Sequence, residues 1–394
     1  MKRVMLTGIL VCLLLSGCYD MREINEIGLV MEVGIDKLSD GTEGFEVTVQ
    51  IANPKQGSGK QGGSEGGVSK SWVCSGTGAT IFEAVRELSK VASKRVMWAH
   101  NNIVIVGEEL AKSNITPVLD FFTHNTELRM KTWIVVSHGK AKDYLKAKIV
   151  SGELAGLEVS NLFRYQKLVA NSAASEILHV YSSFKQENSH PLMSGLLLTE
   201  SENKSGEKSS EGPEKQLKLS GSAVFKGSKM LGWLTDEETR GINWVLENTE
   251  NTIVSVRTKE ATNYNVAIET RKVKSKINST IVSGVPHFTI DISGTGDIVE
   301  EDGTTEKSMP EYKAELEILL NKRIKNEIML GLSKIQKDYK SDVVDFAQIF
   351  HIQNPKEWRK KYRTQWEEVF PEIPVEVNVN IDINSSILNQ IPAK

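Results

Sequence analysis

The stretch FEVTVQI, residues 45–51, alternates apolar and polar side chains without interruption. Its four apolar side chains would all lie on one face of an extended chain, which is the pattern of a half-buried β-strand. Another apolar run at residues 27–35 precedes it, and Ser39-Asp40-Gly41 between the two runs supplies turn residues. These residues predict two neighbouring strands of a β-sheet.

Helical spacing follows downstream of these strands. Thr80 and Glu83 fit a capping box, and the apolar residues of the next three turns recur at helical intervals. Buried strands are predicted at residues 103–106 and 131–136, with a helix between them that begins near Thr116-Pro117. Because strands alternate with helices, we predict a mixed sheet covered by helices.

The middle of the chain has a different pattern. Two helices are predicted over residues 157–184 with a break near Asn171-Ser172, followed by a β-hairpin that turns at Gly227-Ser228. Thr235 and Glu238 fit a second capping box at the start of a further helix. These elements predict a second domain built from helices and a hairpin.

The last part of the chain begins with three predicted strands and continues with a long helix over residues 310–339. Alternation over residues 375–383 predicts a closing strand. Between them a second helix carries an aromatic residue at every fourth position, at Trp358, Tyr362, Trp366 and Phe370. The complete prediction is an α+β protein of three domains, each a mixed or antiparallel β-sheet packed with α-helices, over residues 27–148, 149–250 and 251–394.

The N-terminus has the pattern of a bacterial lipoprotein signal. Lys2 and Arg3 precede an apolar run of twelve residues, which is shorter than the roughly 20 residues that span a bilayer. The run ends in Leu15-Ser16-Gly17-Cys18, which is a lipobox pattern. The small residues give a peptidase access to the bond before Cys18, and its thiol can take a diacylglyceryl group as a thioether. An ordinary signal that happens to contain this cysteine is the alternative.

We therefore predict a signal peptide over residues 1–17, cleavage between Gly17 and Cys18, lipidation of Cys18 and a short tether over residues 18–26. Two acyl chains on one residue would hold the chain on the membrane. No other stretch approaches 18 consecutive apolar residues, so this diacylglyceryl anchor is the predicted membrane attachment.

The charge balance argues against nucleic acid as a partner. Removing residues 1–17 takes away Lys2 and Arg3, so the 48 basic residues become 46 against 51 acidic ones, a net charge of −5. Nucleic-acid binding requires a basic face, which this balance does not predict.

No set of residues in the sequence predicts an enzyme. The seven histidines are scattered without an i, i+4 pair, and no C-x-x-C occurs. Neither a G-x-x-x-x-G-K-[ST] pattern nor a G-x-G-x-x-G that opens a helix is present, and no G-x-S-x-G elbow or S-x-x-K acylation set stands out. We therefore predict no catalytic residue, no metal and no cofactor. Gly76-Thr77-Gly78 ahead of the Thr80 helix is interpreted as a tight turn rather than a phosphate site. Cys74 is assigned a structural role, because no base partner for a nucleophile is identifiable.

The aromatic helix near the C-terminus allows two interpretations. Its stripe from Trp358 to Phe370 is interpreted as the packing face of an amphipathic helix, with a sugar or lipid platform as the alternative. The basic run Arg359-Lys360-Lys361 is interpreted as the solvated face of that helix, and approach to anionic headgroups is the alternative.

Six stretches, taken together and in order, resemble one known family. They are YDMREINEIGLVMEVGID at 19–36, SGTGATIFEAVRELS at 75–89, WAHNNIVIVGEELA at 98–111, LDFFTHNTELRMKTWIVVSHGKA at 119–141, GSAVFKGSKMLGWLTDEETRGINWV at 221–245 and PKEWRKKYRTQWEEVF at 355–370. The family is Ger(x)C, the lipoprotein C subunit of spore nutrient-germinant receptors. This chain departs from the family pattern at Tyr19, where tryptophan is usual, and near His124, where an arginine is expected.

The resemblance implies a three-domain α+β protein that is lipid-anchored on the outer, extracytoplasmic face of the spore inner membrane. It implies two partners, a membrane-embedded A subunit and a transporter-like B subunit, in a receptor that senses amino acids, sugars or nucleosides and triggers release of ions and dipicolinate. The family supplies no catalytic residues. The expected function is thus a non-catalytic receptor subunit that germination in response to nutrients requires.

A solute-binding lipoprotein that captures a small ligand for a transporter or sensor is the alternative function. Such proteins usually have two similar lobes and a hinge, whereas this chain has three dissimilar segments. An enzymatic lipoprotein ranks third because the sequence offers no site chemistry.

Overall fold

The computed structural model of the chain describes residues 27–38, 42–52, 71–92, 94–125, 127–150, 155–200, 215–258, 264–303 and 307–384. These residues form two β-sheets with helices packed against both, so the chain has an α+β fold. None of the helices in these ranges is long and apolar enough to cross a membrane.

The strands are β1 (Ile27–Lys37), β2 (Phe45–Ala52), β3 (Ser71–Gly78), β4 (Arg95–Met97), β5 (Ile103–Gly107), β6 (Trp133–Ser137), β7 (Leu192–Glu200), β8 (Lys215–Lys226), β9 (Lys229–Leu234), β10 (Ile253–Arg257), β11 (Asn265–Val282), β12 (Val285–Glu301) and β13 (Val375–Ile383). The helices are α1 (Ile81–Val91), α2 (Glu108–Ser113), α3 (Thr116–His124), α4 (Ala141–Lys146), α5 (Ala155–Val169), α6 (Ile177–Lys185), α7 (Asp236–Val245), α8 (Met309–Ser333), α9 (Phe346–Gln353), α10 (Pro355–Glu357) and α11 (Arg363–Val369). A π-helical turn (Lys334–Asp338) follows α8, another (Trp358–Tyr362) joins α10 to α11, and a 3₁₀ turn (Phe370–Glu372) ends α11.

The first sheet has nine strands in the order β3-β2-β1-β5-β6-β7-β8-β9, with β4 paired beside the start of β1. β1, β5, β6 and β7 run parallel to one another, while the strands at both edges are antiparallel to their neighbours. Because parallel strands start at the same edge of a sheet, Ile27 of β1 and Leu192 of β7 lie at one edge.

The sequence predicts a sheet in each of three domains, whereas the described residues form two sheets. β6 and β7 are parallel neighbours, with Val135 opposite Ser194, so residues 27–148 and 149–250 contribute strands to the same sheet. The predicted boundary at 148–149 therefore does not separate two sheets. Side-chain periodicity identifies strands but not which strands pair, and this pairing joins residues separated by three helices.

Many of the predicted elements are present. The FEVTVQI stretch forms most of β2, and the predicted helix pair forms α5 and α6. β8 and β9 form the predicted hairpin, and α7 begins with the predicted capping box of Thr235 and Glu238. At the start of α1 the Thr80 hydroxyl accepts the Glu83 N–H, as predicted, but the Glu83 carboxylate accepts its hydrogen bond from Ala79 N–H.

The sequence predicts no strand where β3 lies, because its residues do not alternate and its glycines are interpreted as a turn. Gly76 and Gly78 lie within the strand, and α1 packs directly on them. A Cβ on Gly76 would lie 2.3 Å from the carbonyl oxygen of Ala84, and one on Gly78 would lie 2.5 Å from the Ala84 nitrogen. The glycines therefore let the helix approach the sheet closely.

Helices cover both faces of the first sheet. α1, α2, α3 and α6 contribute to the larger core on one face, and α4 and α5 contribute to the smaller core on the other. Alternate residues of β5 divide between the two cores, with Val104 and Val106 in the larger and Ile103 and Ile105 in the smaller. Burial on both faces explains why β5 and β6 are continuously apolar.

The second sheet has four strands in the order β10-β11-β12-β13, with only the β12–β13 pair parallel. β11 and β12 form a long hairpin that turns at Ser283-Gly284, and both turn residues have positive φ, 51° and 77°. Positive φ at both central positions is typical of a type I′ turn. α8 buries one apolar stripe in the core of this sheet, comprising Tyr312, Leu316, Leu320, Ile324 and Ile328.

A helix crossing joins the two sheets. α7 follows β9 of the first sheet and crosses α8 where Gly241 and Gly331 lie at the contact. A Cβ on Gly241 would lie 1.9 Å from the carbonyl oxygen of Glu327, and one on Gly331 would lie 2.6 Å from that of Glu238. Glycine at these two positions is therefore what allows the helix backbones to approach this closely.

Gly241→Ala is expected to lower the free energy of unfolding by about 1–3 kcal/mol, because the added methyl group must push α7 away from α8. The higher helix propensity of alanine, worth about 1 kcal/mol, acts in the opposite direction. Gly331→Ala should cost less, since its nearest backbone contact is longer. Urea unfolding measures both, with exposed Lys325→Ala on α8 as the control. A Gly241→Ala chain as stable as the control would contradict the close crossing.

Candidate interaction surfaces

Gly17 and Cys18, the predicted cleavage and lipidation residues, lie outside the described residues, as do the predicted signal peptide and tether. The first described residue is Ile27, nine positions after Cys18, and it begins β1. The chain therefore enters the fold at the edge of the first sheet where its parallel strands start.

Cys74 lies in β3 opposite Val49 of β2, and its half-buried side chain packs against the larger core of the first sheet. Burial raises the pKa of the Cys74 thiol above its ordinary value. The thiol is therefore protonated at neutral pH, which suits a structural role better than a nucleophilic one.

The histidines occupy unrelated environments. His138 stacks on Trp233 with 3.8 Å between ring centroids, and the buried His190 accepts a hydrogen bond from the Gly227 N–H at Nδ1, 3.3 Å away. Among the residues that the structure describes, no group of three or more His, Cys, Asp or Glu is placed to hold a metal ion.

The aromatic stripe of the C-terminal helix is part of the core. Its four residues, Trp358, Tyr362, Trp366 and Phe370, are at most 2% exposed. They pack around Phe288, Phe346 and Phe350. The packing interpretation is confirmed, and the platform alternative is wrong because a buried stripe cannot contact a sugar or lipid. Arg359, Lys360 and Lys361 are exposed, as predicted for the solvated face of this helix.

Asp342 connects this aromatic cluster to the start of α9. Its carboxylate accepts hydrogen bonds from the N–H groups of Phe346 and Ala347 and from the indole N–H of Trp366, at 3.0, 2.8 and 2.9 Å. Burial raises the pKa of Asp342 to about 7. The residue therefore fixes the C-terminal helices relative to one another.

Glu32 and Asp36 of β1 face the helices α4 and α5. The Asp36 carboxylate accepts hydrogen bonds from the N–H groups of Ala141 and Lys142, at 2.8 and 2.9 Å, and so caps α4. Glu32 lies beneath α5, because a Cβ added to Gly156 of α5 would lie 2.9 Å from the Cβ of Glu32. The carboxylates thus serve the packing of the helices on this face.

The Glu32 carboxylate is fully buried and has no hydrogen-bond partner among the described residues. Burial raises the pKa of Glu32 to about 8, so the carboxyl group is protonated in the folded chain at neutral pH. The sequence carries no signal for this burial, because a glutamate within a strand is usually interpreted as its solvent-facing position.

Glu327 of α8 forms a buried ionic network at the α7–α8 crossing. Its fully buried carboxylate accepts two hydrogen bonds from Arg240, one of them from Nε at 2.8 Å, one from Trp244 Nε1 at 3.0 Å and one from Arg323 Nε at 2.9 Å. Arg323 also pairs with Glu237 of α7 at 2.7 Å. Charge and hydrogen bonding therefore join the same helices that the glycines allow to cross.

An apolar cavity of about 350 Å³ opens between the start of α1 and α3. Its lining is mainly apolar, with the exposed Asp120 and His124 at one side; the other lining residues are Phe45, Ala79, Thr80, Ile81, Phe82, Pro117 and Phe121. Phe82 is half exposed and contacts Phe121 edge-on, with 4.9 Å between ring centroids. The size lies at the lower end of the range for small-molecule sites.

A wider groove lies on the other side of Phe82, between α1 and β4. Val85, Val96 and the buried Trp98 contribute apolar surface to it, and Arg86, Lys94 and Arg95 make it basic. Lys94 Nζ is buried and lies 5.8 Å from the ring centre of Trp72, with no hydrogen-bond partner among the described residues. The groove between α1 and β4 thus combines apolar surface with three basic residues and one acidic residue, Glu127.

Taken together, these observations define an α+β protein of two sheets joined by a helix crossing. Two family models match it: the spore germination protein N-terminal domain over residues 20–196, and the spore germination B3/GerAC-like C-terminal domain over residues 220–386. The chain therefore belongs to the GerAC-like family of spore germination proteins, which confirms the Ger(x)C resemblance of its sequence. The gap between the two models, residues 197–219, runs from within β7 to within β8, which are neighbours in the first sheet.

Curated relatives match over nearly the whole chain. Spore germination protein KC of Bacillus subtilis (strain 168) is 28% identical over 369 residues, covering 91% of this chain and 89% of the relative. Spore germination protein YndF of the same strain is 27% identical over 395 residues, covering 94% of each.

Among solved structures, the crystal structure of the GerBC protein matches with a TM-score of 0.52 and 21% sequence identity. The match covers 89% of this chain and 96% of the GerBC chain. It supports the α+β fold across both sheets.

Proposed function

We propose that this chain is a lipid-anchored, non-catalytic subunit of a spore nutrient-germinant receptor. It would be held by a diacylglyceryl group on Cys18 at the outer face of the spore inner membrane, beside a membrane-embedded A subunit and a transporter-like B subunit. Its role would be to support the response of that receptor to small nutrients.

The observation that carries the proposal is that both family models match in order over nearly the whole chain. Three buried carboxylates support the non-catalytic part of the proposal. Asp36, Asp342 and Glu327 accept hydrogen bonds that hold helices together, which is a structural role. The lipobox before Cys18 supports the anchor.

Nutrient-induced germination tests the receptor role. Spores that lack this chain should release less dipicolinate after addition of the nutrients that their receptor senses, while germination by a non-nutrient trigger should be unchanged. Parental responses to every nutrient in a broad panel would contradict the proposal, and so would equal loss of both kinds of response.

Cys18→Ala tests the anchor. The variant should lose incorporation of labelled fatty acid and be released from the membrane fraction by a high-salt wash, because residue 18 has no thiol to take the diacylglyceryl group. Its folded part should be unchanged, since residue 18 precedes β1, and circular dichroism checks this. Cys74→Ala is the matched control and should keep both label and membrane retention. A Cys18→Ala chain that stays labelled would refute the anchor.

The apolar cavity between α1 and α3 favours a second function, the capture of a small ligand by this chain itself. Calorimetry of the chain against candidate nutrients separates the two functions. Tight direct binding that is lost in Phe82→Ala would favour the solute-binding function over the supporting role proposed above.

A further inference from the structure

We propose that the turn of the β11–β12 hairpin and the basic helix beside it form a docking face for an anionic phospholipid bilayer. The docking face has an apolar part, made of Ile281, Val282, Val285 and Ile352, and a basic part, made of Lys356, Arg359, Lys360 and Lys361. The inference rests on the proposed function in one respect: the lipid anchor at Cys18 brings the chain to the membrane.

The apolar part projects into solvent. Val282 and Val285 close the hairpin on either side of its turn and are 50% and 42% exposed, and the neighbouring Ile281 is 37% exposed. Ile352 at the end of α9 is 77% exposed, and the next residue, Gln353, accepts hydrogen bonds from the N–H and hydroxyl of Ser279 in β11. Four aliphatic side chains are therefore exposed at one end of the second sheet.

The turn is fixed in place by the basic helix. The Tyr362 hydroxyl donates a hydrogen bond to the carbonyl oxygen of Gly284, and Lys361 Nζ donates another to the same oxygen at 3.4 Å. Because this helix carries the basic part, the exposed lysines and arginine lie beside the exposed aliphatic residues.

The basic part is strongly charged for a chain that is acidic overall. Residues 351–363 contain five lysines and arginines and one acid, Glu357. Within the described part of the chain, only Arg363 of these five forms a bidentate pair with a carboxylate, that of Glu187. An apolar tip beside exposed cations is complementary to a bilayer with anionic headgroups, which attracts each nearby lysine or arginine and accepts aliphatic side chains at the interface.

The docking face lies at the edge where the chain enters the fold. Gly34 of β1 and Ser194 of β7 are aligned across the first sheet, because consecutive residue pairs in β5 and β6 connect them. Ile27 begins β1, and Glu187 lies in the turn between α6 and β7, which runs parallel to β1, so both lie toward the edge where these strands begin. Glu187 pairs with Arg363, which directly follows Tyr362 and its contact with the hairpin turn.

The predicted lipid is within reach of this edge. Nine residue steps separate Cys18 from Ile27, and a chain spans at most about 3.6 Å per residue, or about 32 Å in total. The anchor would therefore hold the docking face close to the bilayer at a high effective concentration, so that individually weak contacts suffice.

Vesicle sedimentation tests the docking face without relying on the anchor. The chain from residue 18 onward, carrying Cys18→Ala, should sediment with vesicles that contain phosphatidylglycerol and much less with pure phosphatidylcholine. Lys356→Glu with Lys360→Glu should weaken partition into the anionic vesicles by roughly 30-fold or more. Val282→Ser with Val285→Ser should also weaken it.

Two matched variants on α8 are the controls. Lys322→Glu with Lys325→Glu reverses the same charge at exposed positions, and Ile318→Ser removes an aliphatic residue that is 68% exposed. Both should partition as the parent does. Failure of the parent to prefer anionic vesicles, or equal losses in the α8 controls, would overturn the docking face. A wild-type chain that incorporates no labelled fatty acid would instead contradict the anchor and leave the docking face standing.

Discussion

Glu327→Ala is expected to lower the free energy of unfolding by about 3–5 kcal/mol, because it leaves Arg240 without the carboxylate that pairs with it at the α7–α8 crossing. The indole N–H of Trp244 and the guanidinium of Arg323 lose the same acceptor. The loss is large because the Glu327 side chain is fully buried, so water cannot replace it. Glu327→Gln should cost less, since the amide oxygen can still accept one of these bonds.

Glu187→Ala is the matched control for this prediction. Glu187 also accepts two hydrogen bonds from one arginine, Arg363, at 2.7 Å each, but both side chains are more than half exposed. Its loss should have a much smaller effect, because exposed ion pairs contribute little to stability. Urea unfolding followed by tryptophan fluorescence compares the two variants. Equal losses would show that the Glu327 network does not hold the two sheets together.

Glu32→Gln should change how stability depends on pH, with an effect that grows from pH 5 to pH 8. The pKa of Glu32 is about 8 in the folded chain against an ordinary value of 4.5, so between these values the folded state binds a proton that the unfolded state has released. The free energy of unfolding therefore falls as pH rises through this window, by up to about 1.4 kcal/mol per pH unit, and becomes level above it.

Glutamine fills the same space and does not titrate, so the variant lacks this contribution to the pH dependence of the free energy of unfolding. Relative to the parent, Glu32→Gln should gain up to about 4 kcal/mol between pH 5 and pH 8. Asp342, whose pKa is also raised, contributes equally to both chains and cancels. Exposed Glu376→Gln in β13 should follow the parent at every pH. If the free energies of unfolding of Glu32→Gln and the parent differ by the same amount at every pH, the burial of an unpaired carboxyl group is contradicted.

Local patterns in the sequence predicted local structure well. The alternation at 45–51 and 375–383, the capping box of Thr235 and Glu238 and the helix pair on either side of Asn171 all correspond to elements of the fold. These features depend on neighbouring residues, and side-chain period and cap chemistry report them directly.

Features that depend on distant residues were not predicted. β3 is a strand because α1 packs on its glycines, and the first sheet continues from β6 to β7 because those strands pair across three helices. The burial of Glu32 depends on α5, whose Gly156 lies against it. The hairpin turn and α9 bring the four aliphatic residues of the docking face to one end of the second sheet, so no single stretch of sequence reveals them.

The proposed receptor role requires that the anchored chain associates with the A and B subunits in the membrane. The full-length chain, tagged at its C-terminus, can be captured from detergent-solubilised spore inner membranes and the co-purifying proteins identified by mass spectrometry. We expect a membrane-embedded A subunit and a transporter-like B subunit to co-purify with it, and both to be reduced in Cys18→Ala spores. Recovery of the chain from the membrane without either subunit would contradict the proposed receptor role.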